Sequence, residues 1–153
     1  LGSEMAARGI DLVYGGGRVG LMGDVADAVL SAGGKVTGVI PRALMDMEVG
    51  HLGATELVVV DDMHQRKAMM SREADAFVAL AGGYGTLEEL FEMVAWSQLG
   101  IHAKPVGLLN TAGYYDHLLK FLDSSVQAGF LHAPHRDLIK VADDPVALLD
   151  QLS

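Results

Sequence analysis

Residues 11–23 read DLVYGGGRVGLMG, a short apolar run with three glycines behind it and helical spacing after them. The run predicts a β-strand, and the glycines predict a tight turn into a helix that ends near Gly33 and Gly34. The same order recurs along the chain of 153 residues. Five more apolar segments are predicted strands, at residues 35–40, 56–60, 76–80, 105–109 and 138–141. Further helices are predicted at residues 63–73, 87–99, 114–128 and 145–152, and residues 1–8 resemble the last turns of another.

Strands that are apolar throughout and alternate with helices are typical of a parallel sheet that is covered on both faces. We therefore predict an α/β fold, a doubly wound parallel sheet with helices on both faces, in a single domain over residues 1–153. Ligands bind such sheets at the carboxyl ends of the strands. Three loops are predicted to lie there, after Tyr14, Val60 and Leu80.

Composition excludes several classes of function. The chain has no cysteine, which rules out a disulfide framework, a thiol nucleophile and thiolate metal ligands in these residues. It has 20 acidic and 11 basic side chains and a formal net charge of -9, which argues against partners such as nucleic acid or an anionic membrane. The six histidines show no metal-ligand spacing, so no metal is expected, and the chain is also expected to use no other cofactor.

The first glycine loop, GGGRVG at residues 15–20, joins a predicted strand to a predicted helix. Glycine lets the backbone approach a ligand closely, and the helix N-terminus behind it favours an anion. Gly15, Gly17 and Gly20 fit the dinucleotide pattern GxGxxG, but the acidic residue expected about 20 positions later is missing. A tight turn between strand and helix explains these glycines equally well.

The second glycine loop, GGYGTLEE at residues 82–89, also follows a strand and begins a helix. Its backbone N–H groups can surround a phosphate, although no Walker GK[ST] sequence follows. Thr86 is the predicted N-cap, and Thr86-x-x-Glu89 has the spacing of a capping box. On spacing alone, a capping role for Glu89 is favoured over a catalytic one.

The third loop places two adjacent cations, Arg66 and Lys67, just after the strand that ends at Val60. Arg66 can bind a phosphate through two parallel hydrogen bonds, and Lys67 adds a point charge. The alternative is a solvent-exposed helix start in which these cations pair with Asp61 or Asp62. The residues alone support both interpretations equally.

Four stretches together resemble the Lonely Guy (LOG) family of cytokinin-activating phosphoribohydrolases, once described as lysine decarboxylases. They are LVYGGGRVGLMG, MHQRKAMM, AGGYGTLEEL and WSQLGIHAKPVGLLN, at residues 12–23, 63–70, 81–90 and 96–110. The similarity continues through residues 113–115 to residues 129–130 and covers nearly the whole chain. It implies a Rossmann-like fold and an enzyme that hydrolyses N6-modified adenosine 5′-monophosphate to free base and ribose 5-phosphate. We reject decarboxylation, which requires a pyridoxal group on a lysine, because Lys67 lies in a predicted phosphate site without a cofactor motif.

The resemblance assigns Arg66 and Glu89 as the catalytic pair and reverses the preference for capping at Glu89. Breaking an N-glycosidic bond builds positive charge on the ribose, which the Glu89 carboxylate would stabilise. Arg66 and the loop amides would hold the phosphate or the departing base. The other predicted substrate-binding residues are Gly16, Gly17, Glu48, Met63, Lys67, Gly82, Gly83, Tyr84, Gly85, Thr86, Leu87 and Glu88.

Three departures from the family pattern stand out. Ala81 replaces the proline that usually precedes the second glycine loop, and Ala95 replaces a threonine common before the tryptophan. The family's first strand and its Gly-Ser loop have no counterpart, so we expect a sequence that is incomplete at its N-terminus.

The resemblance also implies partners, while the location is predicted from composition and from the lack of an apolar run long enough to span a membrane. A small-molecule nucleotide is the expected substrate, and the family usually forms a homodimer with shared active sites, sometimes a larger assembly; the expected compartment is the cytoplasm. The apolar helix positions Leu90, Val94, Trp96 and Leu99 are a candidate interface or base pocket, with core packing the alternative for most of them. Two rival functions stay open, a nucleotide-binding or carrier module without turnover and a general AMP hydrolase.

Overall fold

Strands and helices alternate in the order that the apolar pattern predicts, in a computed structural model that describes residues 1–45, 47 and 49–153. The chain divides into two units, Leu1–Ala74 and Asp75–Ser153. Each contains a three-stranded sheet whose strands are all parallel, with helices packed against it. The predicted α/β fold is confirmed. Among the described helices, none combines the length and the apolar character needed to cross a bilayer.

The first unit is built on a sheet of strand order β1-β2-β3. In register, Leu12 lies opposite Val36 and Thr37 lies opposite Glu56. Val29 and Val36 are fully buried where the helix after β1 packs on the sheet. The elements are α1 Gly2–Ala7, β1 Leu12–Tyr14, α2 Leu21–Ser31, β2 Val36–Pro41, a 3₁₀ turn Arg42–Leu44, β3 Glu56–Val60 and α3 Met63–Glu73.

The second unit is built on a sheet of strand order β4-β5-β6. Every residue of its middle strand is buried, which explains why that strand is apolar throughout. Leu108 and Leu122 belong to its core. The elements are β4 Phe77–Ala79, α4 Tyr84–Gln98, β5 Val106–Leu109, a 3₁₀ turn Thr111–Gly113, α5 Asp116–Gln127, α6 Ala133–Arg136, β6 Ile139–Ala142 and α7 Pro145–Leu152.

Helix α4 differs most from the prediction, because it begins three residues early, at Tyr84. Its N-cap is Gly83, and the Leu87 N–H donates to the Gly83 carbonyl at 3.1 Å. The four-residue α6, which has a proline in its first turn, was not predicted. Of the four apolar positions singled out in the predicted helix, Leu90 is core, Val94 and Trp96 pack against the core, and Leu99, the C-cap of α4, is 71% exposed.

Candidate active site

Arg66 is buried against the first glycine loop within the first unit. The residue is only 5% exposed, although it lies in the second turn of a helix whose other early residues face solvent. Its Nη2 donates to the Gly15 carbonyl at 2.7 Å, and its Nη1 lies 3.7 Å from the Met63 sulfur. The interpretation of Arg66 as part of a solvent-exposed helix start is therefore wrong. A guanidinium is a group that can bind a phosphate or a carboxylate through parallel hydrogen bonds.

Gly15 is a glycine because the guanidinium occupies the space of a side chain. A Cβ built there would lie 2.0 Å from Arg66 Nη2 and 2.9 Å from its Cζ. Sequence reasoning missed this role, since the partners are 51 residues apart. The only signal was a run of three glycines, which is longer than a simple turn requires.

Local hydrogen bonds decide where α3 begins and therefore which side chain turns inward. Asp62 is the N-cap, and its Oδ1 accepts from the Gln65 N–H at 2.8 Å. Gln65 in turn accepts from the Asp61 N–H at 3.2 Å. This reciprocal pattern satisfies donors at the helix start. It places Arg66 on the buried side of α3, while Lys67 next to it is half-buried.

The glycines after Gly15 form a tight turn against residues 50–51. The His51 N–H donates to the Gly16 carbonyl at 2.8 Å, and Gly17 forms an antiparallel bridge with Gly50. Gly16 has a φ of 78°, a backbone conformation that favours glycine. The tight-turn interpretation accounts for Gly16 and Gly17, and their contact with a substrate stays a prediction. Glu48, also predicted to bind substrate, lies outside the described residues.

His51 supports this turn from behind and was not predicted to matter. It is 4% exposed, and its Nδ1 accepts from the Gly53 N–H at 3.2 Å. That bond leaves the Nε2 proton to donate to Asp27 Oδ1, at 3.0 Å. The ring thereby ties the turn to α2. No sequence signal identified it, because histidine and aspartate are 24 residues apart.

The second glycine loop forms the N-terminus of α4 in the second unit. Thr86 lies inside the first turn of that helix, so it is not the N-cap, and the predicted capping box with Glu89 is wrong. A Cβ at Gly82 would lie 2.1 Å from Thr86 Oγ1. At Gly83 and Gly85, by contrast, no other heavy atom of the described chain, apart from nearby backbone, comes within 4 Å of such a Cβ.

Helix α4 presents acidic and apolar side chains in its first two turns. Tyr84 is 95% exposed and Glu88 is exposed, whereas Glu89 is half-buried. Leu87 packs against the core of the second unit and so fixes the rotation of the helix. The 15-residue helix points its positive dipole end at the glycine turn, which favours a bound anion.

Two adjacent tyrosines hold the strand-to-helix turn that leads into α4. The Tyr115 hydroxyl donates to the Leu80 carbonyl at 2.5 Å, and the Tyr114 hydroxyl donates to the Gly82 carbonyl at 2.8 Å. Burial, with a smaller contribution from Tyr114, raises the pKa of Tyr115, so its hydroxyl stays protonated and can donate at neutral pH. Sequence reasoning matched both tyrosines to the family but gave them no role.

Metal ligation has no support in the described part of the chain. No group of three or more histidine, aspartate or glutamate side chains there is placed to hold a metal ion.

Comparisons with known proteins agree with this architecture. A family model described as "Possible lysine decarboxylase" matches residues 22–152. The probable cytokinin riboside 5′-monophosphate phosphoribohydrolase LOGL2 of Oryza sativa subsp. japonica is 57% identical over 152 residues, 99% of this chain and 62% of the relative. The cytokinin riboside 5′-monophosphate phosphoribohydrolase LOG7 of Arabidopsis thaliana is 56% identical over 99% of this chain and 70% of its own length. The chain thus spans less than two thirds of the rice relative.

Two solved structures share the fold. The molybdenum cofactor carrier protein of Chlamydomonas reinhardtii matches with a TM-score of 0.68 and 27% identity, over 99% of this chain and 82% of its own. The molybdenum cofactor binding protein of Rippkaea orientalis matches with a TM-score of 0.71 and 21% identity, and the match covers 98% of this chain and 80% of its own length. The second likeness concerns the fold alone.

Proposed function

Because the chain belongs to the LOG family, whose curated relatives are named cytokinin riboside 5′-monophosphate phosphoribohydrolases, we propose that the protein hydrolyses the N-glycosidic bond of N6-modified adenosine 5′-monophosphate. The products would be the free base and ribose 5-phosphate. The single observation that carries the proposal is 57% identity with such a relative over 152 residues. The family description as a lysine decarboxylase names a different reaction, for which Lys67, beside a buried arginine, is poorly suited.

Glu89 is the proposed catalytic carboxylate. Departure of the base leaves positive charge on the ribose, and a fixed negative charge stabilises that transition state more than the ground state. Glu89 would also orient the attacking water. Its half-buried position on α4 supports this role.

Arg66 is the proposed partner of the phosphate or of the departing base. Its guanidinium is already ordered by the Gly15 carbonyl, so little side-chain entropy is lost when an anion binds. Met63 and Lys67 lie on the same helix and are proposed to contact the substrate, as are Gly16, Gly17 and Glu48. The amides of residues 82–88 would surround the phosphate at the start of α4.

A carrier or binding module without turnover is the second candidate. The likeness to a molybdenum cofactor carrier at 27% identity favours it, because that protein combines this fold with the binding of a ligand. A general AMP hydrolase is a third candidate and differs from the first in base selectivity. The three candidates differ in whether bound nucleotide is hydrolysed and in whether the modified base is preferred.

Incubation of the full-length protein with AMP and, separately, with N6-isopentenyl-AMP distinguishes them. We expect free base to be released faster from the prenylated nucleotide, because selectivity for the modified base requires an apolar contact that AMP cannot make. Chromatography of the base measures both rates. Equal rates would indicate a general AMP hydrolase, and retention of nucleotide without release would indicate a carrier.

Gly85→Ala tests whether the phosphate lies against the turn at α4. A methyl group fits there, and alanine stabilises a helix over glycine by about 0.5–1 kcal/mol, so the free energy of unfolding should rise. AMP binding should nevertheless weaken about tenfold, because the methyl keeps the phosphate from the backbone. Calorimetric titration and thermal unfolding measure the two effects. A more stable variant with unchanged affinity would contradict this phosphate position.

We also propose a homodimer with shared active sites, or a larger assembly, in the cytoplasm. The described second unit offers apolar surface for such an interface. Phe130 is 91% exposed, Leu99 71% and Phe121 64%, and Phe130 borders a cavity of about 350 Å³ whose apolar lining comes mainly from α4 and α5, while α6 contributes His135 and Arg136.

A further inference from the structure

We infer that Tyr114 and Tyr115 are positioning residues that hold the phosphate-binding turn at the start of α4 in its binding geometry, an inference that rests on the proposed function. The pair is termed the tyrosine clamp. It spans the residue at which the family's usual proline is replaced, since its two acceptors are the carbonyls of Leu80 and Gly82, on either side of Ala81.

The turn needs an external support because its own sequence is unusually free. Proline would fix one backbone dihedral, whereas Ala81 does not, and Gly82 and Gly83 after it add further freedom. Two hydroxyls that bind carbonyls on both sides of Ala81 restrict the same segment from outside. The clamp therefore supplies a restraint that the local sequence lacks.

The clamp is itself well anchored. Tyr115 is 3% exposed and belongs to the core of the second unit, and its ring meets that of Tyr114 edge to face with centroids 4.8 Å apart. The Tyr115 N–H donates to Asn110 Oδ1 at 2.7 Å, and Asn110 Nδ2 donates to Asp116 Oδ1 at 2.8 Å. The Tyr115 backbone is thus held by Asn110, just after β5, and through it by the start of α5.

The two hydroxyls should contribute unequally to holding the turn. The Tyr115 hydroxyl comes from a core residue and its hydrogen bond is partly buried, so its loss leaves the Leu80 carbonyl without this donor where water has less access than at Gly82. Tyr114 is 55% exposed, so water can replace its hydroxyl at Gly82. We therefore expect Tyr115→Phe to loosen the turn more than Tyr114→Phe, while both variants keep the aromatic contact.

Displacement of the turn should weaken AMP binding more than it slows the release of base. The phosphate does not react, so its contacts are equally strong in the ground state and in the transition state, and their loss raises KM rather than lowering kcat. For Tyr115→Phe we expect the Kd and KM for AMP to rise about five- to tenfold and kcat to stay within about threefold. Tyr114→Phe should change the Kd about twofold, and the affinity for adenosine, which lacks the phosphate, should not change in either variant.

Tyr14→Phe in the full-length protein is the matched control. Tyr14 is also buried, and its hydroxyl has no hydrogen-bond partner in the part of the chain that the structure describes, while burial and Asp27 raise its pKa to about 12. Removal of that hydroxyl should leave the Kd for AMP unchanged. Thermal unfolding of each variant separates a loss of stability from a loss of phosphate affinity.

Calorimetric titration with AMP and adenosine keeps the two proposals separate. If the wild type binds AMP but releases no base, the proposed hydrolysis fails, and the clamp is still judged on the Kd values. If the wild type releases base and Tyr115→Phe binds AMP as tightly as Tyr14→Phe, the clamp is overturned and the hydrolase stands. An equal loss of AMP and adenosine affinity would also overturn it, because the effect would then not act through the phosphate.

Discussion

Replacement of Glu89 with glutamine should lower the rate of base release about 10²–10⁴-fold while AMP still binds. Glutamine keeps the size and the hydrogen-bonding oxygen of the side chain but removes its negative charge. The positive charge that develops on the ribose then has no carboxylate to stabilise it. Since AMP is an anion, loss of a nearby negative charge should not weaken its binding. Single-turnover release of base and calorimetric titration with AMP measure the two quantities.

Glu92→Gln is the control for this experiment, because it makes the same change three residues further along α4. Glu92 is half-buried like Glu89, so both substitutions remove a partly buried carboxylate from one helix. The control should release base at the wild-type rate. If Glu89→Gln instead lost binding, rate and thermal stability together, Glu89 would act in the fold of α4 and not in the reaction.

The sequence predicted the fold well because the fold depends on local apolar pattern. The strand at residues 105–109 was predicted from its continuous apolar residues, and β5 spans Val106–Leu109 with every residue buried. The predicted start of α4 was wrong by three residues, and the reason is local. Thr86 and Glu89 have the spacing of a capping box, but Gly83 provides the N-cap instead. Gly83 and Thr86 can both serve as an N-cap, and residue spacing alone could not show which of them does.

The sequence pointed to candidate site residues by their types but not to the contacts that support them. Glycine loops and adjacent cations at predicted strand ends made Arg66 and the turn at residues 82–85 candidates. The carbonyl that holds Arg66 belongs to a residue 51 positions earlier, and the hydroxyls that hold the turn come from 32 and 35 positions later. Such contacts follow from tertiary packing, so no periodicity or motif in one sequence reveals them.

Arg66→Ala should lower kcat/KM for nucleotide hydrolysis about 10²–10³-fold and should also weaken AMP binding. The guanidinium is buried and ordered before substrate arrives, so its removal deletes a positioned cation that solvent cannot replace. The Gly15 carbonyl also loses this donor, which is expected to reduce the free energy of unfolding by about 1–3 kcal/mol. Rates are therefore compared at a temperature where each variant is shown to be folded.

Arg72→Ala is the matched control on the same helix, since Arg72 is largely exposed and pairs with its neighbour Glu73 at 3.0 Å. It should retain wild-type activity, because an exposed pair contributes little. Full activity of Arg66→Ala would show that Arg66 binds neither the phosphate nor the departing base.

Gly15→Ala separates the position of the Arg66 guanidinium from its charge. The added methyl would lie 2.0 Å from Nη2, so the guanidinium must move although the arginine is chemically intact. If the ordered position matters, Gly15→Ala should lose most of the activity that Arg66→Ala loses. If Gly15→Ala keeps its activity while Arg66→Ala does not, the charge alone suffices, and the contact between Gly15 and Arg66 serves the fold of the first unit.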